Sequence, residues 1–130
     1  MIAGMGYGEH MIAAALLHDV VEDCEVPLKE LYRLFGGDVA MLVYWLTDVS
    51  TGVNANRAVR KEIDRLHIAL APPEAMTIKL ADLIDNTKSI VAYDPGFAKI
   101  YLAEKRLLLD VLKEGDETLW TLAWAQAHLM

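Results

Sequence analysis

Six consecutive residues, His18-Asp19-Val20-Val21-Glu22-Asp23, put an imidazole and three carboxylates at the tail of a strongly apolar run, Met11 to Leu17. Side chains of these types ligate divalent cations, so a metal-assisted reaction is the chemistry they suggest. If the run is helical, its carbonyl end is the negative pole of the helix dipole, where cations are favoured and Asp or Glu is not. Glu25 adds to the local acidity. A bound metal ion would supply the compensating charge. At about 100° of rotation per residue, His18, Asp19, Glu22 and Asp23 fall within an arc of roughly 140°. Leu16, Leu17, Val20 and Val21 are then left to pack elsewhere. The bland alternative is a frayed, solvated helix end; the apolar helix leading directly into the row argues against it.

A second cluster lies between Lys79 and Ser89. There Lys79, Asp82, Asp85, Asn86 and Ser89 share one helical face, and Leu80, Leu83 and Ile84 turn toward the other. Taken alone, this is more readily an ordinary solvent face with an i,i+3 ion pair, Lys79 to Asp82. Arg57, Arg60 and Lys61 form a basic patch in an otherwise acidic chain. They suit a phosphate chain, although solvated residues paired with Glu62 and Asp64 are the commoner arrangement for such a cluster. His10, His67 and His128 lack ligand partners at suitable spacing and read as surface or packing residues. The glycines of Gly4-Met5-Gly6-Tyr7-Gly8 lack the preceding strand and following lysine of a phosphate-binding loop.

The elements that must position these groups are helical almost throughout, with no convincing period-two alternation. The spacing predicts a buried helix over about Met11 to Val21. A short one follows from Pro27 in its first turn to Phe35, ended by Gly36-Gly37. Asp38 is expected to cap a helix through about Leu46, before a polar turn from Thr47 to Asn54. From Asn54 to Leu70, Val59, Ile63, Leu66 and Leu70 recur on one apolar face. Pro72-Pro73 starts a helix from about Glu74 to Val91, and Pro95-Gly96 opens another through about Lys113. Gly115-Asp116 precedes a last helix bearing Trp120 and Trp124, an i,i+4 pair of the kind usually found in a core or an interface, as are Leu108 and Leu112. The expected fold class is all-α, with about seven helices.

At 130 residues the chain reads as one domain, residues 1–130, large enough to bury roughly two-thirds of its unfolded surface. Its hydrophobic fraction of 55% is high, yet no apolar run is long enough to span a bilayer. The excess belongs in a core or in a homo-oligomer interface. A net charge of −7 argues against a nucleic-acid polymer or an anionic membrane as partner, while leaving room for a small phosphorylated ligand. Cys24 is the single cysteine, no signal peptide is evident, and a reducing, cytoplasmic setting fits.

In order along the chain stand Ala13-Ala14-Ala15-Leu16-Leu17-His18-Asp19-Val20-Val21-Glu22-Asp23, Leu34-Phe35-Gly36, Val39-Ala40, Leu46-Thr47, and Ile78-Lys79-Leu80-Ala81-Asp82 with Asn86. This pattern, over residues 11 to about 91, resembles the HD-domain metal-dependent phosphohydrolases, in particular the hydrolase domains of Rel/Spo-type alarmone enzymes. The resemblance implies an HD-type helical bundle and removal of the 3′-pyrophosphate from a guanosine polyphosphate. It makes His18, Asp19 and Asp82 metal ligands, with Glu22 and Asp23 as the acidic pair that holds or activates water. It places Asn86 and Ser89 against the nucleotide, with Arg57 or Lys61 as further substrate contacts. Manganese is the favoured cofactor by family precedent, and Fe²⁺, Co²⁺ and Zn²⁺ suit the same ligands.

Three departures accompany the resemblance. The family's first metal-ligating histidine would precede Met1, as would its Arg/Lys-rich nucleotide-gripping segment, so the expected domain is short at its amino end. Leu83 and Asp85 stand where the alarmone hydrolases usually carry Arg and His. The alternative readings are a catalytically impaired HD-fold module that binds a nucleotide or protein, and a helical oligomerisation domain.

Overall fold

The structure, a computed structural model, describes residues 2, 8–24 and 26–128, apart from the side chains of residues 19 and 21–24. Among the described residues seven helices follow one another: α1 (Glu9–Cys24), α2 (Leu28–Phe35), α3 (Gly37–Leu46), α4 (Arg57–Ile68), α5 (Pro73–Tyr93), α6 (Pro95–Leu109) and α7 (Glu117–Ala127). No strand occurs among the described residues. The all-α architecture expected from the apolar spacing is therefore what the chain adopts.

α5 is the central rod, touching α1, α3, α6 and α7. Pro73 starts it, where a missing N–H costs nothing. Ala75, Ile78, Leu80 and Ile84 are each at most 1% exposed. At about 1.5–3 kcal/mol for a fully buried aliphatic side chain, these contacts are a principal source of cohesion. α1 lies against α3 and α5 and buries Met11 and Ala14, which fixes the direction in which its carboxyl end points.

Several boundaries differ from the sequence expectation. α3 starts at Gly37 with Gly36 as N-cap, and no side chain caps it; Asp38 falls inside the first turn. Gly36 has φ of 87°, a left-handed conformation that lets α2 stop and α3 begin with no intervening loop. α6 ends at Leu109 rather than near Lys113, because the chain turns to bury Leu112 completely. That turn lies so close to α5 that a Cβ on Gly115 would sit 2.8 Å from Leu80 Cδ1 and 3.2 Å from the Met76 carbonyl carbon. The Asp116 amide then donates to Thr77 Oγ1 at 2.9 Å.

α4 departs most. The apolar stripe expected from Asn54 to Leu70 does not face the core as a whole: Leu66, and Leu70 past the helix end, are 64% and 76% exposed, Val59 is exposed, and Ile63 is half-buried. The inward face instead carries Lys61, Asp64, Arg65 and Ile68. The Trp120–Trp124 pair also divides. Trp120 packs inward and donates its indole N–H to the Leu109 carbonyl at 2.9 Å, whereas Trp124 is half exposed and stacks on His128.

Candidate metal centre

α1 and α5 bring together the two groups that the sequence places far apart. His18, 7% exposed, directs Nε2 toward Asp82 Oδ1 at 3.8 Å. Its Nδ1 lies 2.8 Å from the Ala15 carbonyl oxygen, one turn earlier on α1. A carbonyl only accepts, so Nδ1 carries the hydrogen, and in a neutral ring Nε2 presents a lone pair toward a carboxylate oxygen. Two acceptors facing each other call for a proton or a cation between them. A histidine whose other nitrogen is fixed on a backbone carbonyl is also the usual arrangement of a metal ligand.

The second oxygen of Asp82 is held from the other side. Asn86 Nδ2 donates to Oδ2 at 3.3 Å, and Lys79 Nζ lies 3.8 Å from the same atom. The i,i+3 pair expected from Lys79 and Asp82 is thus present, and it orients the carboxylate instead of merely solvating a surface. Among the described residues no third His, Cys, Asp or Glu joins His18 and Asp82 to complete a ligand cluster. The side chains of Asp19, Glu22 and Asp23, assigned above as ligand and water-handling groups, lie outside the described residues. The pair that is described fits a divalent cation in donor type, shielding and orientation.

Asn86 and Lys79 also line a cleft of about 170 Å³ walled by α4 and α6. Lys61 stands in its wall, so the structure brings two of the expected substrate contacts, Asn86 and Lys61, to one opening. Ser89 is exposed near the end of α5 and lines neither this cleft nor its neighbour. Arg57 lies in the neighbouring hollow of about 310 Å³, with Arg60 and Lys61. Its guanidinium forks onto Glu104 of α6, Nε to Oε2 at 2.7 Å and Nη2 to Oε1 at 3.0 Å, and sits over the Phe97 ring. The hydrogen bonds to Glu104 raise its pKa above the ordinary value. Asp64, expected to pair with this patch, lines the same hollow, but its carboxylate is taken up by the turn after α3. It accepts from the Val49 and Ser50 amides and from Ser50 Oγ, pinning the turn after α3.

The histidines read as non-ligands have other partners. His10 Nε2 lies 2.7 Å from Glu74 Oε2, joining the starts of α1 and α5, and His67 packs against Tyr44 and Trp45. Two cleft residues escaped the sequence reading: Tyr101 and Lys105, both on α6. A signal for Lys105 exists, since Ala98, Leu102, Lys105 and Leu109 form the buried stripe of that helix. A lysine in a core register position is the cue.

Known proteins resemble this chain in sequence and in fold. A family model described as HD domain matches residues 1–105. A guanosine-3′,5′-bis(diphosphate) 3′-pyrophosphohydrolase, MESH1 of Drosophila melanogaster, is 37% identical over 87 residues, covering 67% of this chain and 47% of that protein. A probable GTP diphosphokinase of Oryza sativa subsp. japonica, RSH2, is 35% identical over 102 residues, which are 71% of this chain but 14% of that protein. The chain thus spans less than half the length of these relatives. In three dimensions it is similar to lmo0812 of Listeria monocytogenes EGD-e, with TM-score 0.78 and 20% identity, covering 97% of this chain and 90% of that one.

Proposed function

Because the chain belongs to the HD-domain family, we propose that it is a metal-dependent phosphohydrolase acting on a phosphorylated nucleotide, with guanosine-3′,5′-bis(diphosphate) as the first substrate to test. The observation that carries this is the 3.8 Å approach of His18 Nε2 to Asp82 Oδ1, with each group oriented by a neighbour on its far side. The Drosophila relative, of which this chain spans nearly half, is named for hydrolysis alone.

His18 and Asp82, joined by Asp19 on the family pattern, would hold one divalent cation, for which Mn²⁺ is the favoured choice. When bound, such an ion acidifies a coordinated water and neutralises charge on the reacting phosphate. The protein's own part is positional. Ala15 fixes the imidazole tautomer, and Asn86 and Lys79 fix the Asp82 carboxylate. Glu22 and Asp23, by resemblance, take the proton as the water oxygen attacks phosphorus and the bond to the ribose oxygen breaks. Asn86, with Lys61 across the cleft, would hold the nucleotide, with Arg57 in the neighbouring hollow; Ser89 lines neither opening and is a contact by resemblance alone. Arg57 acts there chiefly by holding α4 to α6 through Glu104.

The test is direct. Protein loaded with Mn²⁺ is incubated with guanosine-3′,5′-bis(diphosphate), and pyrophosphate release is measured. Metal-dependent release is expected. A chain that binds no Mn²⁺ and releases nothing, yet is thermally stabilised by the nucleotide, would instead be the impaired binding module.

A further inference from the structure

We propose that the cleft between α4 and α6 is an anion subsite, in which Lys105 Nζ and the Tyr101 hydroxyl hold a phosphate group of the ligand other than the one hydrolysed. The ligand's identity rests on the phosphohydrolase reading above; the existence of the subsite does not.

Lys105 lines the cleft although it is only 1% exposed, which places it at the bottom. Its ammonium donates to Thr87 Oγ1 at 2.6 Å and to Gln126 Oε1 at 2.7 Å, and neither acceptor carries charge. An ammonium buried among neutral partners is costly unless a counter-charge arrives. Burial accordingly pushes it down to about 8. One turn earlier on the same helix, Tyr101 also lines the cleft. Its hydroxyl is shielded from solvent; Thr87 is its polar neighbour, but no hydrogen bond of ordinary geometry satisfies it among the described residues. One deficit asks for negative charge and the other for an acceptor. A phosphate oxygen answers both.

The walls agree with the floor. α4 turns its polar face inward, adding Lys61 and Arg65, while Lys79 reaches the rim from α5. Three carboxylates also line the cleft, and two of them are engaged: Asp64 by the turn after α3, and Glu104 by Arg57. Asp48 is the third. Asn86 and Lys79 belong to this cleft and to the Asp82 carboxylate alike, so the subsite is continuous with the metal corner. A ligand with two separated phosphate-bearing groups would occupy both. A lysine serving only to tie α5, α6 and α7 together would be indifferent to anions.

Sodium pyrophosphate, titrated by calorimetry into the full chain in excess chelator, reads the subsite without the metal. Lys105→Met should weaken binding by at least about tenfold and Tyr101→Phe by about threefold, in line with loss of a charge-assisted and a neutral hydrogen bond. Lys99→Met, the same charge change at an exposed position of α6, should leave it within about twofold of the wild type. In NMR of the wild-type lysine side chains, the Lys105 titration midpoint should rise from about 8 when pyrophosphate is present. This readout stands even if Lys105→Met fails to fold. Absence of pyrophosphate binding, equal binding by Lys105→Met, or an unmoved Lys105 midpoint would each overturn the subsite. Loss of nucleotide hydrolysis with these effects intact would instead count against the hydrolase reading alone.

Discussion

The metal corner and the cleft beside it are built in opposite ways. At the corner, two polar groups are set into apolar helices, and each is held from behind by a partner on its own element: Ala15 for His18, and Asn86 with Lys79 for Asp82. In the cleft, the polar groups face inward from three helices while α4 leaves apolar Val59 and Leu66 outside. The corner gains precision from short-range ties along one helix. The cleft gains charge at the expense of ordinary packing, which is the usual mark of a surface shaped by a ligand.

Perturbations can be ordered by how sharply they separate the two. Asp82→Ala should have the largest effect, lowering metal affinity by more than about 100-fold, since even groups behind the ligands contribute about 10–100-fold. Metal content of protein purified without chelator measures this, with circular dichroism expected to stay unchanged; full occupancy in the variant would remove the corner as a metal site. The cleft should respond to pH. Lys105 is held down to about 8 when folded, so as pH rises from about 8 the folded state sheds its proton before the unfolded chain does. Stability should therefore rise toward pH 10, by up to about 3 kcal/mol. Above about pH 10 the buried Tyr101, pushed up to about 12 chiefly by desolvation, acts in the reverse sense, because the folded state then keeps a proton that the unfolded chain loses. Urea denaturation across this range checks both signs, and Lys105→Met should abolish the rise. The smallest change is expected from Asp64→Ala, which frees the Val49 and Ser50 amides and Ser50 Oγ. A loss of about 1–3 kcal/mol, read as a shift in the urea midpoint, with metal affinity at the corner unaltered, would confirm that the wall and the corner are independent.

Legibility followed the same division. The helices were readable because prolines and glycines punctuate them, as with Pro73 at the start of α5, whereas the cap of α4, Asn56, whose side chain accepts from the Val59 amide, was passed over. His18 and Asp82 were readable because their neighbours along each helix form a recognisable pattern. The cleft was not, because a helix's apolar stripe normally marks its buried side, and α4 reverses that rule. The end of α6 was misplaced because Leu112 continues the apolar rhythm from within a turn. The partner of Arg57 lay on another helix, Glu104, whereas spacing along the chain offered only Glu62 and Asp64. Rhythm along one helix reports that helix; pairing between helices leaves no such trace.

The fork from Arg57 to Glu104 has a consequence for the molecule in brine. With 44% and 20% of the two side chains open to solvent, its grip belongs to the class of contacts that dissolved ions weaken. The oily rod at the centre is nearly indifferent to such ions. The tie between α4 and α6 is therefore the contact that added salt should loosen first, while the packing around α5 stays as it is.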